Sequence, residues 1–187
     1  MSSPAETPQR PMRADARRNY DKLVAAAREA FTEDGAASLE EVARRAGVGS
    51  ATLHRNFPTR QHLLETVYLE EVEAMSRTEG LDGLGPWDAL ETWLRRFAAY
   101  AVTKRAIGDA LVEYMDRDSE VFQRCAGVLI DSGEPLLQRA QEAGEARPDA
   151  TFIDVAKMIG GIAGIRTADA EQTERILSLA LDGLRTR

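Results

Sequence analysis

The sequence predicts an all-α protein in two parts, on three observations. Apolar residues recur at helical spacings of three and four along most of the chain, from Leu23 to Leu184. The run Ser38 to Arg60, SLEEVARRAGVGSATLHRNFPTR, reads as two short helices held apart by a glycine turn. A glycine-rich link, Gly80-Leu-Asp-Gly-Leu-Gly85, then marks the best domain boundary.

Residues 1–13 contain Pro, Ser and Thr and are expected to form a disordered arm. Arg10, Arg13, Arg17 and Arg18 cluster at the amino end, placed to bind phosphate, although a floppy terminus is favoured over an arm in a minor groove. The first amphipathic helix follows, with Leu23, Ala27 and Phe31 on its core face. Ser38 with Glu41 three residues on is a capping box, so a second helix should begin at Leu39 and bury Leu39, Val42, Ala43 and Ala46. Gly47 is suited to the left-handed backbone that ends it, and Val48 can plug back into the core.

Gly49 or Ser50 caps a third helix whose only large apolar residues are Leu53 and Phe57. Ser50, Ala51, Thr52, His54, Arg55 and Asn56 are therefore free of the core. Pro58 stops this helix, Asn56 and Phe57 are expected to leave the helical region, and Thr59 caps the next with Arg60 in its first turn. Small and polar side chains on the outward face suit entry into a major groove. On spacing alone, a plain helical bundle fits as well.

The order of residues separates the two readings. Ala43, Ala46, Gly47, Val48, Gly49, Ser50, Ala51, Thr52, Leu53, His54, Arg55, Asn56, Phe57, Pro58, Thr59 and Arg60 follow a pattern close to A-x-x-A-G-V-S-x-G-T-L-Y-x-x-F-x-[ST]-K, which resembles the DNA-binding unit of the TetR family of transcriptional regulators. Leu23, Ala27, Phe31, Gly35, Leu63 and Leu64 extend the match over about residues 14–70. His54 stands at the usual tyrosine, Gly49 at the usual serine cap and Arg60 at the usual lysine.

The resemblance implies a three-helix DNA-binding domain over 14–59, a connecting helix over 60–79 and a helical ligand-binding and dimerisation domain over 80–187. It places Ser50, Ala51, Thr52 and Arg55 near base edges, and Ser38, His54, Asn56 and Arg60 near the phosphate backbone. A partly packed neutral histidine is the alternative for His54, and a solvated charge for Arg55. The implied function is a repressor that binds a palindromic operator on double-stranded DNA as a homodimer and is released by a small-molecule effector.

Charge distribution agrees with a DNA partner better than total charge does. The chain carries a net charge of −7, yet residues 1–60 hold 10 Lys/Arg against 8 Asp/Glu, a net of +2, while residues 61–187 hold 14 against 23, a net of −9. The sign reverses where the motif ends.

The second half is helical in pattern. A helix over about 60–78 buries Leu63, Leu64, Val67, Tyr68, Val72 and Met75; Pro86 opens the next, with a stripe of Leu90, Trp93, Leu94, Phe97 and Ala101. Further helices are expected over 106–115, 118–144, 149–164 and 170–185, with Gly133 and Pro135 bending or breaking the second of these. The aromatic-rich segment nominates Trp93, Phe97, Tyr100, Tyr114, Met115 and Phe122 as pocket-lining residues, although an ordinary core has the same composition.

Small residues beside large ones nominate Phe152, Val155, Ile159 and Ala163, with Ile176, Leu177, Ala180 and Leu184, as a two-helix dimer face. Closure of the monomer core is the other reading of that stripe.

An enzyme fits poorly. There are two histidines, His54 and His62, one cysteine, Cys125, no metal-spaced cluster and no Gly-rich phosphate loop, so neither cofactor, metal nor catalytic residue is expected. A helical protein-binding adaptor is the other competitor, and steep salt dependence of binding would separate it from a DNA reader. Cys125 reads as a buried structural thiol. No run of about 18 apolar residues and no signal peptide are evident, so a cytoplasmic, nucleoid-associated protein is expected, without membrane contact.

Overall fold

The computed structural model describes residues 10–103, 105–114, 119–165 and 168–186, with the backbone alone at 10–13, 103 and 106. Nine helices lie among the described residues: α1 (Arg10–Glu33), α2 (Leu39–Ala46), α3 (Ser50–Asn56), α4 (Arg60–Met75), α5 (Pro86–Thr103), α6 (Arg105–Val112), α7 (Glu120–Glu142), α8 (Phe152–Ala163) and α9 (Ala170–Leu184). Their order and positions follow the predicted pattern. The first helix, however, already begins at Arg10, so residues 10–13 are helical where an arm was expected.

Apolar residues gather into two cores. The first joins Leu23, Ala27 and Phe31 of α1, Val42 of α2, Leu53 of α3 with Phe57, and Leu63, Leu64 and Val67 of α4. It also takes Ile107, Ala110 and Leu111 from α6, so this helix, beyond the glycine-rich link, is packed into the amino-terminal helical unit. The second core surrounds Trp93, whose ring lies 5.8 Å from that of Phe97 and 5.7 Å from that of Phe152. α4 runs between the two, its Arg60 end in the first core and Met75 against the second.

Helix α7 is unbroken. Pro135 sits inside it on an exposed position, and the carbonyl left without a donor belongs to Asp131, also exposed. Gly133 is buried instead, where the rings of Trp93 and Phe152 press against the backbone. The break expected at Gly133-Glu-Pro135 does not occur, because one residue faces solvent and the other supplies space for rings.

The dimer stripe proposed from the sequence needs correction. Phe152, Val155, Ile159, Ala163, Leu177 and Leu184 are all buried within the monomer, and Ile176 and Ala180 are partly buried against the same core. Periodicity identifies an apolar face but not which neighbour covers it, and the outward face adds a few apolar residues among charged ones. That other face carries Ile153, 52% exposed, Met158 and Gly161 on α8, and Leu179, 71% exposed, on α9.

Candidate nucleic-acid interface

The reading helix is built by the residues around it. The Ser38 hydroxyl accepts the Glu41 amide N–H at 3.2 Å and caps α2. The reciprocal half of the box is not made by Glu41, whose carboxylate accepts from Arg44 and Arg45 and lies far below its ordinary value, at about 2. Arg45 also donates to Glu33 at 2.8 Å, which ties α2 to the end of α1.

Gly47 adopts φ 63°, ψ 32°, and the Val48 amide donates to the Ala43 carbonyl, closing the turn as the sequence predicts. Gly49 caps α3 without a side-chain bond. Leu53 and Phe57, each 1% exposed, pin the helix from below, and burial of side chains of this size is worth roughly 1.5–3 kcal/mol apiece. Ring contacts of Phe57 with Tyr20 at 5.3 Å and His62 at 5.9 Å fix its exit. Thr59 accepts the His62 N–H and starts α4.

With that face pinned, Ser50, Ala51, His54 and Arg55 are exposed and Thr52 is half-buried. The Arg55 guanidinium reaches the Thr52 hydroxyl at 3.5 Å, so both groups lie on one patch. Asn56 remains in the helix, contrary to the expectation that it leaves, and its amide donates to the Thr52 carbonyl at 2.7 Å. Its amide N–H is thus folded back along α3 rather than directed outward.

Glu40 lies beside this patch. Its carboxyl is held below its ordinary range by its own backbone N–H, then by the Ser38 hydroxyl, and weakly by His54. A carboxylate there repels phosphates approaching Ser38 and His54. Glu40→Gln is expected to tighten DNA binding by about two- to fivefold at low salt, with the gain fading as salt rises. Fluorescence anisotropy at 50 and 300 mM salt (about a Debye length of 14 against 6 Å) checks it; equal affinities at low salt would place Glu40 away from the backbone.

Arg60 departs from its assigned role. Its Nε donates to the Ala37 carbonyl at 2.9 Å, Nη2 donates to the Gly35 carbonyl, and Nη1 donates to the Tyr114 hydroxyl at 2.7 Å. The guanidinium also lies 5.4 Å from the centre of the Phe31 ring and 5.7 Å from that of Tyr114. The half-buried guanidinium is thus engaged by groups of its own chain. Arg17 and Arg18, at the amino end, pair with Asp21 and Asp15 on the exposed face of α1.

The pocket nominees do not line a common cavity. Trp93 and Phe97 are core residues, Phe122 packs edge-on against Tyr68 on the side of the first core, and Tyr114 is exposed beside Arg60. Tyr100 is half-buried, its hydroxyl pushed well above its usual range by burial, with Tyr68 and Cys125 nearby; Met115 lies outside the described residues. Burial likewise raises the Cys125 thiol to about 11, in keeping with a structural residue. A cavity of about 760 Å³ opens elsewhere, where Ala98, Ala99 and Val102 of α5 face Ala163 and Leu177, with Thr32 of α1 and Asp109 of α6 at its edge. No aromatic side chain lines it, and Ala98, Ala99, Ala163, Ala168 and Ala170 do. Among the described residues no His, Cys, Asp and Glu group could hold a metal, and no helix is long and apolar enough to cross a membrane.

The geometry can be set beside known proteins. The model of the bacterial regulatory proteins, tetR family, matches residues 23–67, and that of the SbtR-like transcriptional regulator C-terminal domain matches residues 85–186. The chain belongs to the TetR family. A TetR transcriptional regulator from Streptomyces coelicolor is 40% identical, with a TM-score of 0.72 over 88% of this chain and 97% of that one. Another, from Mycobacterium vanbaalenii, is 30% identical, with a TM-score of 0.74 over 94% of this chain and all of that one. A search of the curated proteins found no match. As a TetR-family member the chain is a DNA-binding, ligand-responsive transcriptional regulator, with α2 and α3 as its helix-turn-helix.

Proposed function

We propose that this TetR-family protein is a repressor that binds a palindromic operator as a homodimer and is released by a small-molecule effector. The observation that carries the reading is the division of α3 into a buried edge, Leu53 with Phe57, and an outward patch of exposed Ser50, Ala51, His54 and Arg55 with half-buried Thr52 among them. Thr52 and Arg55 are assigned to base edges, and Ser38 and His54 to phosphates. The protein acts in the cytoplasm at the nucleoid and carries no catalytic role.

One α3 touches only a few base pairs, so specific affinity needs two copies about 34–36 Å apart, one turn of DNA. The exposed apolar face of Ile153, Met158, Gly161 and Leu179 supports pairing of α8 and α9 with their counterparts in a four-helix arrangement. The effector is assigned to the cavity between α5, α8 and α9, because a molecule there would touch the end of α1 and α6 as well as the dimer helices. It shifts the population away from DNA by no more than its difference in affinity for the two states.

Footprinting on the DNA flanking the coding region tests the proposal. Two protected half-sites on one face of the duplex, lost on adding a ligand found by thermal shift, are expected. A single unsymmetric footprint would exclude the dimeric reading, and ligand-insensitive protection would exclude release.

A further inference from the structure

Arg60 joins three elements that meet nowhere else through one side chain among the described hydrogen bonds: the loop between α1 and α2 through Gly35 and Ala37, the start of α4, and the end of α6 through Tyr114. We infer that Tyr114 is a positioning residue for DNA reading, acting through Arg60, whose guanidinium latches the reading head to α6 instead of serving as a phosphate ligand. The inference rests on the DNA-reading role above and adds to it the residue pair through which the second half of the chain holds the first.

Three features of the site support it. Three of the five N–H donors of Arg60, one from each nitrogen, go to two carbonyls and one hydroxyl in a fork, a spread of donors that a planar guanidinium provides and the single nitrogen of an ammonium does not. Phe31 of α1 and Tyr114, in the turn after α6, present rings to the same cation. Helix α6 is already anchored in the first core by Ile107 and Leu111, both fully buried, and the Tyr114 amide donates to the Leu111 carbonyl at 2.9 Å, so a displacement of α6 carries Tyr114 with it and reaches Arg60. The two carbonyls belong to the segment that leads into the Ser38 cap of α2 and thus into the turn before α3.

The arrangement makes Arg60→Lys informative, because lysine is what the family usually carries there. A lysine keeps a phosphate contact but cannot make the fork. Operator binding by wild type, Arg60→Lys, Arg60→Gln, Tyr114→Phe and the Arg60→Gln/Tyr114→Phe double variant is to be measured by anisotropy over a range of salt. The latch predicts that Arg60→Lys, Arg60→Gln and Tyr114→Phe each weaken binding about three- to tenfold, that the double variant is no weaker than Arg60→Gln, and that the slope of log affinity on log salt stays at its wild-type value. Wild-type affinity in Arg60→Lys together with a slope reduced by about 0.9 per subunit in Arg60→Gln would overturn it in favour of a phosphate contact. Wild-type binding by Tyr114→Phe, or additive losses, would overturn it as well.

A wild-type protein that finds no operator would count against the proposed function, not the latch. The same cycle read by thermal melting without DNA then decides: non-additive shifts are expected, and additive ones refute the coupling.

Discussion

Leu179→Glu should give a folded protein that is monomeric and binds its operator at least about a hundredfold more weakly, since linked binding of two half-sites adds roughly 10²–10⁴ in affinity. Leu179 is 71% exposed, so within the monomer a glutamate there meets water and leaves the core of Leu177, Leu181 and Leu184 intact. In a dimer the same position would bring carboxylates into an apolar four-helix contact, where an unpaired charge is costly. Far-UV circular dichroism should be unchanged while sedimentation gives one chain mass. A dimer with full operator affinity would move the interface away from this face.

The largest stability effect is expected at Gly133. A Cβ there would sit 2.3 Å from two carbons of the Phe152 ring and 2.8 Å from the Trp93 ring, and those rings are held by Phe97, Val155 and Ile159 in the second core. Gly133→Ala should therefore destabilise the protein by about 2–3 kcal/mol, as overpacking does, despite the better helix propensity of alanine. At roughly 2–4 °C per kcal/mol for a chain of this size, melting should fall by about 4–12 °C. Gly127 in the same helix is the control, because a Cβ there meets nothing within 4 Å. Gly127→Ala should stabilise by about 0.5–1 kcal/mol. Opposite signs at two glycines of α7 would confirm that the rings, not the helix, demand Gly133; equal signs would refute it.

These two positions also show where reading the chain from residues succeeds and stops. The helix-turn-helix is written in local chemistry: the Ser38 cap, the left-handed Gly47, the Leu53 and Phe57 pair, and the Thr59 cap after Pro58 all act within a few residues, and each lies where the pattern puts it. The family resemblance over the same stretch depends on that local chemistry. Helices α8 and α9 are different, because each carries exposed apolar residues besides its buried stripe. Period identifies a stripe, but only the position of α5 decides that Phe152, Val155 and Ile159 turn inward and Ile153 and Leu179 outward.

Arg60 shows a related limit. Its phosphate role came from the position of a lysine in similar sequences, whereas its partners, Gly35, Ala37 and Tyr114, lie 23 to 54 residues away in the chain. Aromatic content does not mark the cavity, whose lining includes Ala98, Ala99 and Ala163 and no aromatic side chain.

Binding of the Thr52→Ala/Arg55→Ala variant to the footprinted operator tests the central claim most directly. Both residues lie on the outer patch of α3, and their truncation touches neither Leu53 nor Phe57, so melting should stay within about 0.5 kcal/mol of wild type. If α3 reads bases, preference for operator over unrelated DNA should collapse by about 10²-fold or more, at roughly 1–3 kcal/mol per lost base contact in each half-site, while weak salt-sensitive binding persists. Operator preference equal to that of the wild type would contradict the account and remove α3 from the interface.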